Sequence, residues 1–263
     1  MRFICIGAHP DDCEIEFGGT AALLAEAGHA VKFLSVTNGD AGHMLHRGEA
    51  LARTRLAEAH EAARRLGIAA TETLDNHDGE LLPDIHVRRE IVRRIRDWRA
   101  DVVLSHRPFD YHPDHRYTGQ LVQDSAYLVL VPNICPDSEP LTRNPIYLYL
   151  QDDFQRPTPF TPDVVVDIDP VFARKIDAMD AHASQFYEWL PWVEGDRSVP
   201  ADAEERKKWL AARWKAPVTP AVRGALIRRY GEPRGCAAEH AEAFELCEYG
   251  SRPLAGELER IFG

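Results

Sequence analysis

The sequence predicts an α/β fold: a doubly wound, mostly parallel sheet with helices on both faces and a C-terminal extension. Three observations carry this expectation. Short apolar runs alternate with longer amphipathic ones, as strands do when crossover helices join them. The runs "FICI", "VVLS" and "IYLYL" are apolar at successive positions, as strands covered on both faces are. No internal repeat, low-complexity tract or clear linker divides the 263 residues, so they read as one domain. Its α/β core is expected at about 1–170, and an extension at about 171–263 would shape a pocket or an oligomer interface.

Taken in order, Arg2 to Ile6 reads as a buried strand. Phe17 to Ala27 reads as a helix opened by Gly18, Gly19 and Thr20 and stopped by Gly28. Ala30 to Thr37 is a second strand, followed by the turn "NGDAG". Glu49 to Leu66 is a helix rich in Ala, Leu, Arg and Glu, and Gly67 ends it. A short strand lies around Thr71 to Leu74. Ile85 to Trp98 is helical, with Ile91, Val92, Ile95 and Trp98 on one face. The other face carries Arg88, Arg89, Arg93, Arg94, Arg96 and Arg99, read as a solvated surface. Asp101 to Ser105 is a strand, and a helix follows from about Tyr117 to Leu130. "IYLYL" and "VVVDI" are further strands, with a helix after Pro170.

Composition narrows the function. Hydrophobic residues make up 44% and charged residues 28%, ordinary for a soluble globular chain. A net charge of -11 argues against nucleic acid and anionic membranes as partners. No run is long enough to span a membrane, and "MRFICIGAHPDD" lacks a signal peptide's apolar core, so a cytoplasmic protein is expected. The five cysteines are scattered and form no C-x-x-C. Cys5 is expected in the core, and Cys13 is expected to pack rather than ligate.

Two polar clusters follow strands: "GAHPDDCEIEFGGT" after the first, and "SHRPFDYHPDHRYTG" after the Asp101–Ser105 strand. In a sheet of order 3-2-1-4 those strands are neighbours, and the order reverses between them, which opens a crevice at their carboxyl ends. His9, Asp12 and His115 would there form a two-nitrogen, one-oxygen set suited to a catalytic zinc. Such a site keeps a net positive charge, which acidifies a bound water and polarises a carbonyl. A dication would also make the crowded carboxylates tolerable. Asp11 is placed to take a proton from that water, with Glu14, read mainly as structural, the next candidate. His112 would face the developing oxyanion, with Asp114 fixing its tautomer and favouring its charged form. His43, His46, His77 and His106 are decoys or supporting residues.

"AHPDDCE" and "HPDH", in that order on an α/β scaffold, resemble the LmbE/PIG-L superfamily of metal-dependent de-N-acetylases. Its members remove acetyl groups from N-acetylglucosamine units of glycolipids, thiol precursors, chitobiose and antibiotics. The resemblance covers the first half to two-thirds of the chain. It implies a Rossmann-like fold, zinc (or another divalent metal such as Fe2+) on His9, Asp12 and His115, Asp11 as base and His112 as electrostatic partner. "RTRLAEAHEAARRLGI" and "LDNHDGEL" resemble segments that place an arginine and an aspartate, here Arg55 and Asp78, at the sugar. Some members carry a mobile tyrosine two residues before the HPDH histidine; Asp110 stands there, and Tyr111 is one residue off. The implied activity is metal-dependent removal of an N-acetyl group from an N-acetylglucosamine-type sugar or conjugate, with the same chemistry on another N-acyl or amide substrate as the alternative. The implied partner is that small molecule, with no nucleic acid, no membrane insertion and a possible homo-oligomer.

Two other classes fit less well. A dinucleotide-dependent oxidoreductase would need G-x-G-x-x-G where "GAHPDD" stands, and these aspartates would repel a pyrophosphate. A non-catalytic binding protein on this scaffold would be expected to lose Asp11 or a ligand. Phe186, Tyr187, Trp189 and Trp192 in "SQFYEWLPWVEGDRS" are expected either to pack in a core or interface, or to stack on a sugar at the pocket mouth.

Overall fold

The computed structural model describes residues 1–216 and 218–263. Seven strands form one sheet: β1 (Arg2–Gly7), β2 (Ala30–Thr37), β3 (Ala70–Asn76), β4 (Val102–Ser105), β5 (Ile146–Leu150), β6 (Val164–Asp167) and β7 (Ala241–Cys247). Their order is β3-β2-β1-β4-β5-β7-β6. The first five in that row are parallel, and β7 is antiparallel to both its neighbours. The sheet is thus Rossmann-like and mostly parallel, with the order reversing between β1 and β4 as expected.

Alternation along β1 divides the core into two layers. Phe3 and Cys5 pack with Phe17, Ala21 and Leu24 of α1 (Asp12–Glu26) and with Ala62 and Leu66 of α2 (Gly48–Leu66). Ile4 and Ile6 point the other way, onto Ile91, Val92 and Ile95 of α3 (Ile85–Asp97) and Leu121 and Val122 of α4 (Pro113–Leu128). Asp84 caps α3 by accepting from the His86 and Val87 amides, and Gly67, at φ 76°, ends α2. After β6 come α5 (Phe172–Asp180), a π-helical turn (Ser184–Trp189) running into α6 (Leu190–Glu194), α7 (Ala203–Arg213), α8 (Pro220–Tyr230), α9 (Glu232–Ala237) and α10 (Glu257–Ile261). No helix among the described residues is long and apolar enough to cross a membrane.

Three features differ from expectation. Helices α1 and α4 begin at Asp12 and Pro113, not at Phe17 and Tyr117. In both, the polar motif is itself the first turn, so the apolar periodicity that marks a helix starts late. The core does not end near residue 170, because β7 lies between β5 and β6. Two glutamates hide this strand's apolar pattern, and each meets a base: Glu242 lies 2.7 Å from Lys175 Nζ and Glu245 3.4 Å from Arg107 Nε.

Arg96 is the third. It does not belong to the solvated arginine face; it is 2% exposed. Its guanidinium donates to the carbonyls of Leu128 and Val129, at the end of α4, and to those of Val131, Ile134, Cys135 and Ser138, at 2.6–3.1 Å. Helix ends leave carbonyls unpaired, and here one cation satisfies them. Arg96→Met should leave several buried carbonyls without partners and cost about 3 kcal/mol or more. That is a fall in Tm of roughly 6–12 °C for a chain of this size. Exposed Arg89→Met is the control; equal melting of the two variants would show that Arg96 does not hold this loop.

Candidate active site

The turn after β1 is fastened before any chemistry is considered. The Ala8 carbonyl accepts from the Thr37 amide and from Thr37 Oγ1, both at 2.8 Å, and the His9 carbonyl accepts from Ser35 Oγ at 3.2 Å. Gly7 is required, since a Cβ there would stand 2.8 Å from Asp12 Cβ. Asp11 has φ 156° and ψ -25°, outside the regions L-residues favour, so the turn stores strain where the motif sits. The crevice between β1 and β4 brings the second cluster onto the first.

His9 Nδ1 lies 3.2 Å from His115 Nε2 and 3.6 Å from Asp12 Oδ2, and His115 Nε2 lies 3.4 Å from Asp12 Oδ1. Each imidazole is turned by carboxylates on its other nitrogen. His9 Nε2 faces Asp78 Oδ1 at 3.2 Å and Asp114 Oδ2 at 3.3 Å, and His115 Nδ1 faces Asp110 Oδ1 at 3.1 Å. That arrangement places the N–H on the outer nitrogens and leaves the inner lone pairs converging with a carboxylate. Donors about 2.0–2.1 Å from a tetrahedral zinc stand roughly 3.3–3.4 Å apart, so these three residues fit such an ion. Nitrogens of His9, His112 and His115, and donor atoms of Asp12, His106 and His115, also gather within 4.8 Å.

Electrostatics point the same way. Burial pushes the His9 imidazole down, yet Asp114, Asp12 and Asp78 outweigh it and raise its pKa well above the usual value. Burial pushes Asp12 up, but His115, His106 and His9 hold it well below the usual carboxylate range. Asp11, Asp12, Asp78 and Asp110 thus line one cavity, with Asp114 behind His9, and Arg55 lies 3.3 Å from Asp11. A dication among them is the physical remedy.

The side chains around these donors have further partners. Arg55 is fully buried; its Nη2 donates to the Pro10 carbonyl at 2.8 Å and lies 3.3 Å from Asp11 Oδ2. It therefore braces Asp11 while still lining the cavity, and its Nη1, beside Gly42, has no hydrogen-bond partner among the described residues. Burial raises the Asp11 pKa, and Arg55 opposes that rise. Asp78 is engaged with His9, and its Oδ2 accepts from the Gly42 amide at 2.9 Å. Asp114 does not hold His112: its Oδ2 accepts from the Gly79 amide at 2.7 Å and faces His9. The short reach between Asp114 and His112 along the helix start is taken by the backbone, since His112 Nδ1 accepts from the Asp114 amide at 3.2 Å. That leaves the proton on Nε2. Burial, with His9 and His115, lowers the His112 pKa and so disfavours its imidazolium form, against the pull of Asp114 and Asp78.

Glu14 is structural: its Oε1 lies 3.3 Å from Nε2 of the fully buried His182. Glu58 accepts from the amide and Oγ of Ser184. Cys13 packs, its Sγ donating to the Cys5 carbonyl. His106 stacks on His115 at 4.3 Å, and its Nε2 is 3.1 Å from Asp12 Oδ2. Asp110 was missed as an orienting carboxylate; its signal was its place in the turn that presents His115. His43 and His46 lie apart beside Glu188, with both His43 nitrogens already engaged by that carboxylate and by the Leu45 and His46 amides. His77 pairs with Asp40.

Above the donors lies a cavity of about 620 Å³. The aromatic segment splits over it. Phe186 and Tyr187 are buried with Ile176, Met179 and Leu210. Trp189 lines the cavity and stacks at 5.5 Å on exposed Trp192.

Comparison with known proteins agrees with this geometry. The PIG-L family, described as GlcNAc-PI de-N-acetylase, matches residues 4–126. Diacetylchitobiose deacetylase of Thermococcus kodakarensis is 34% identical over 75% of this chain and 76% of its own length. The 4-oxalmesaconate hydratase of Pseudomonas putida is 26% identical over 71% of this chain and 74% of its own. Among solved structures, N,N'-diacetylchitobiose deacetylase of Pyrococcus horikoshii superposes with a TM-score of 0.70 at 27% identity, covering 94% of this chain and 84% of that one. The motif after β1, its partner after β4 and the sheet that joins them therefore have one source: the chain belongs to the PIG-L family of de-N-acetylases.

Proposed function

We propose that this enzyme hydrolyses the N-acetyl group of an N-acetylglucosamine-type sugar or conjugate, with zinc held by His9, Asp12 and His115. The observation that carries this reading is the convergence of two carboxylate-oriented imidazoles and Asp12, with Asp11 alongside. A dication bound there supplies Lewis acidity to the amide carbonyl and lowers the pKa of water. Asp11 takes the proton of the attacking water and later delivers it to the leaving amine; Arg55 holds its carboxylate in place. His112 donates its Nε2–H to the carbonyl oxygen as negative charge develops there. Asp78, Asp110 and Asp114 hold the two imidazoles. The Asp78 side of the cavity, with Trp189 as a stacking wall, takes the sugar.

The test is acetate release from a panel of N-acetylated sugars and acylated amines. Release from a glucosamine derivative supports the reading. Cleavage of only non-sugar amides would favour the same chemistry on another N-acyl substrate. Water addition to an unsaturated acid without amide cleavage, as the name of the Pseudomonas relative suggests, would overturn it. The holding role is tested separately. Asp114→Asn should weaken zinc binding roughly 10–100-fold, because it removes a carboxylate from His9 and not from His112. Unchanged affinity by metal-competition titration would put Asp114 elsewhere in the mechanism.

A further inference from the structure

The cavity continues past the three donors in two directions. Toward β2 and β3 lie Gly42, Asp78 and Trp189; toward β5, β7 and α5 lie Glu16, Leu150, Lys175, Met179 and Ala243. These halves flank the crevice between β1 and β4, where the amide must sit. If the sugar takes the Asp78 half, as the function proposed above requires, the acyl chain points into the other.

Glu16 stands on that wall one helical turn beyond Asp12, on the same face of α1, about 5–6 Å further along. Three other charges of this half, Lys175, Glu242 and Arg107, have partners. Lys175 donates to Glu242 and to the Ile15 carbonyl. Glu242 also accepts from the Gly19 and Thr20 amides at 2.9 and 2.7 Å. Arg107 is held by Asp152 and the Thr158 carbonyl. The Glu16 carboxyl has no hydrogen-bond partner among the described residues. Burial pushes its pKa up to about 8, against the pull of Lys175, and in either protonation state the carboxyl can accept from a hydroxyl.

An acetyl group ends one bond, about 1.5 Å, beyond the reacting carbon, whereas Glu16 stands a full helical turn beyond Asp12. We propose that this half of the cavity is an acyl subsite in which Glu16 binds a hydroxyl group carried on the acyl chain. The enzyme then favours hydroxyacyl amides over alkanoyl amides of the same length.

The experiment compares N-acetyl-, N-butanoyl- and N-(4-hydroxybutanoyl)-glucosamine by kcat/KM in the zinc-loaded enzyme, and by titration calorimetry in the metal-free protein. The hydroxybutanoyl compound should exceed the butanoyl one about tenfold in both measurements, the scale of one good hydrogen bond. Glu16→Leu should bring that ratio near one, and Glu16→Gln should retain part of it. A ratio near one in the wild type, or an unchanged ratio in Glu16→Leu, overturns the subsite. Acetate release without hydroxyacyl preference removes this inference alone. Calorimetric preference without cleavage of any amide removes the proposed activity and leaves the subsite standing. Neither cleavage nor preferential binding removes both.

Discussion

Asp11→Asn should retain about one zinc per chain and lose roughly 10²–10⁴ in kcat, the usual contribution of a positioned base. The amide keeps the size of the carboxylate and can still face Arg55, whose Nη2 also holds the Pro10 carbonyl. The turn at φ 156° should therefore survive, and metal content measured on the same preparation separates lost chemistry from lost structure. Full turnover in zinc-loaded Asp11→Asn would move the proton to another group. Glu14 is a poor replacement, buried against His182 as it is.

Removing a donor should be at least as damaging, and by a different route. His9→Ala, Asp12→Ala or His115→Ala takes away one of three atoms that lie 3.2–3.6 Å apart. Two donors rarely hold zinc at a catalytic site, so metal content and activity should fall together. Chelation of the native protein should abolish activity, and added zinc or another divalent ion should restore it. Full activity in a sample shown to be metal-free would end the metal reading. His106→Ala is the informative contrast: it removes a ring stacked on His115 and a contact to Asp12, so it should weaken zinc retention less than loss of a donor.

Much of this was legible in the sequence because parallel strands write plainly. β1, β2 and β4 are continuous apolar runs, and the sheet order that joins their ends follows from how crossovers are made. The convergence of His9, Asp12 and His115 was legible because two His-Pro-Asp stretches each follow such a strand. What stayed hidden was pairing between residues far apart in the chain. Arg96 looks like its neighbours on α3 until the loop after α4 surrounds it with carbonyls. Asp78 and Asp114 come from different elements and meet only at His9. β7 was invisible because Glu242 and Glu245 become tolerable only beside Lys175 and Arg107.

The position of β7 has a consequence for how the chain is made. Every residue assigned to the metal and the base is out of the ribosome by His115, but the strand that fills the gap between β5 and β6 is nearly the last segment to emerge. Until then β5 presents an open edge, a template for pairing with other chains. Its eventual partner lies about a hundred residues away, a distant closure that slows folding. A nascent or truncated chain ending before residue 241 thus already carries the proposed zinc ligands while lacking an interior strand. Trimming the C-terminal third would remove part of the sheet and of one cavity wall, and would leave a fragment with an open sheet edge, prone to aggregate.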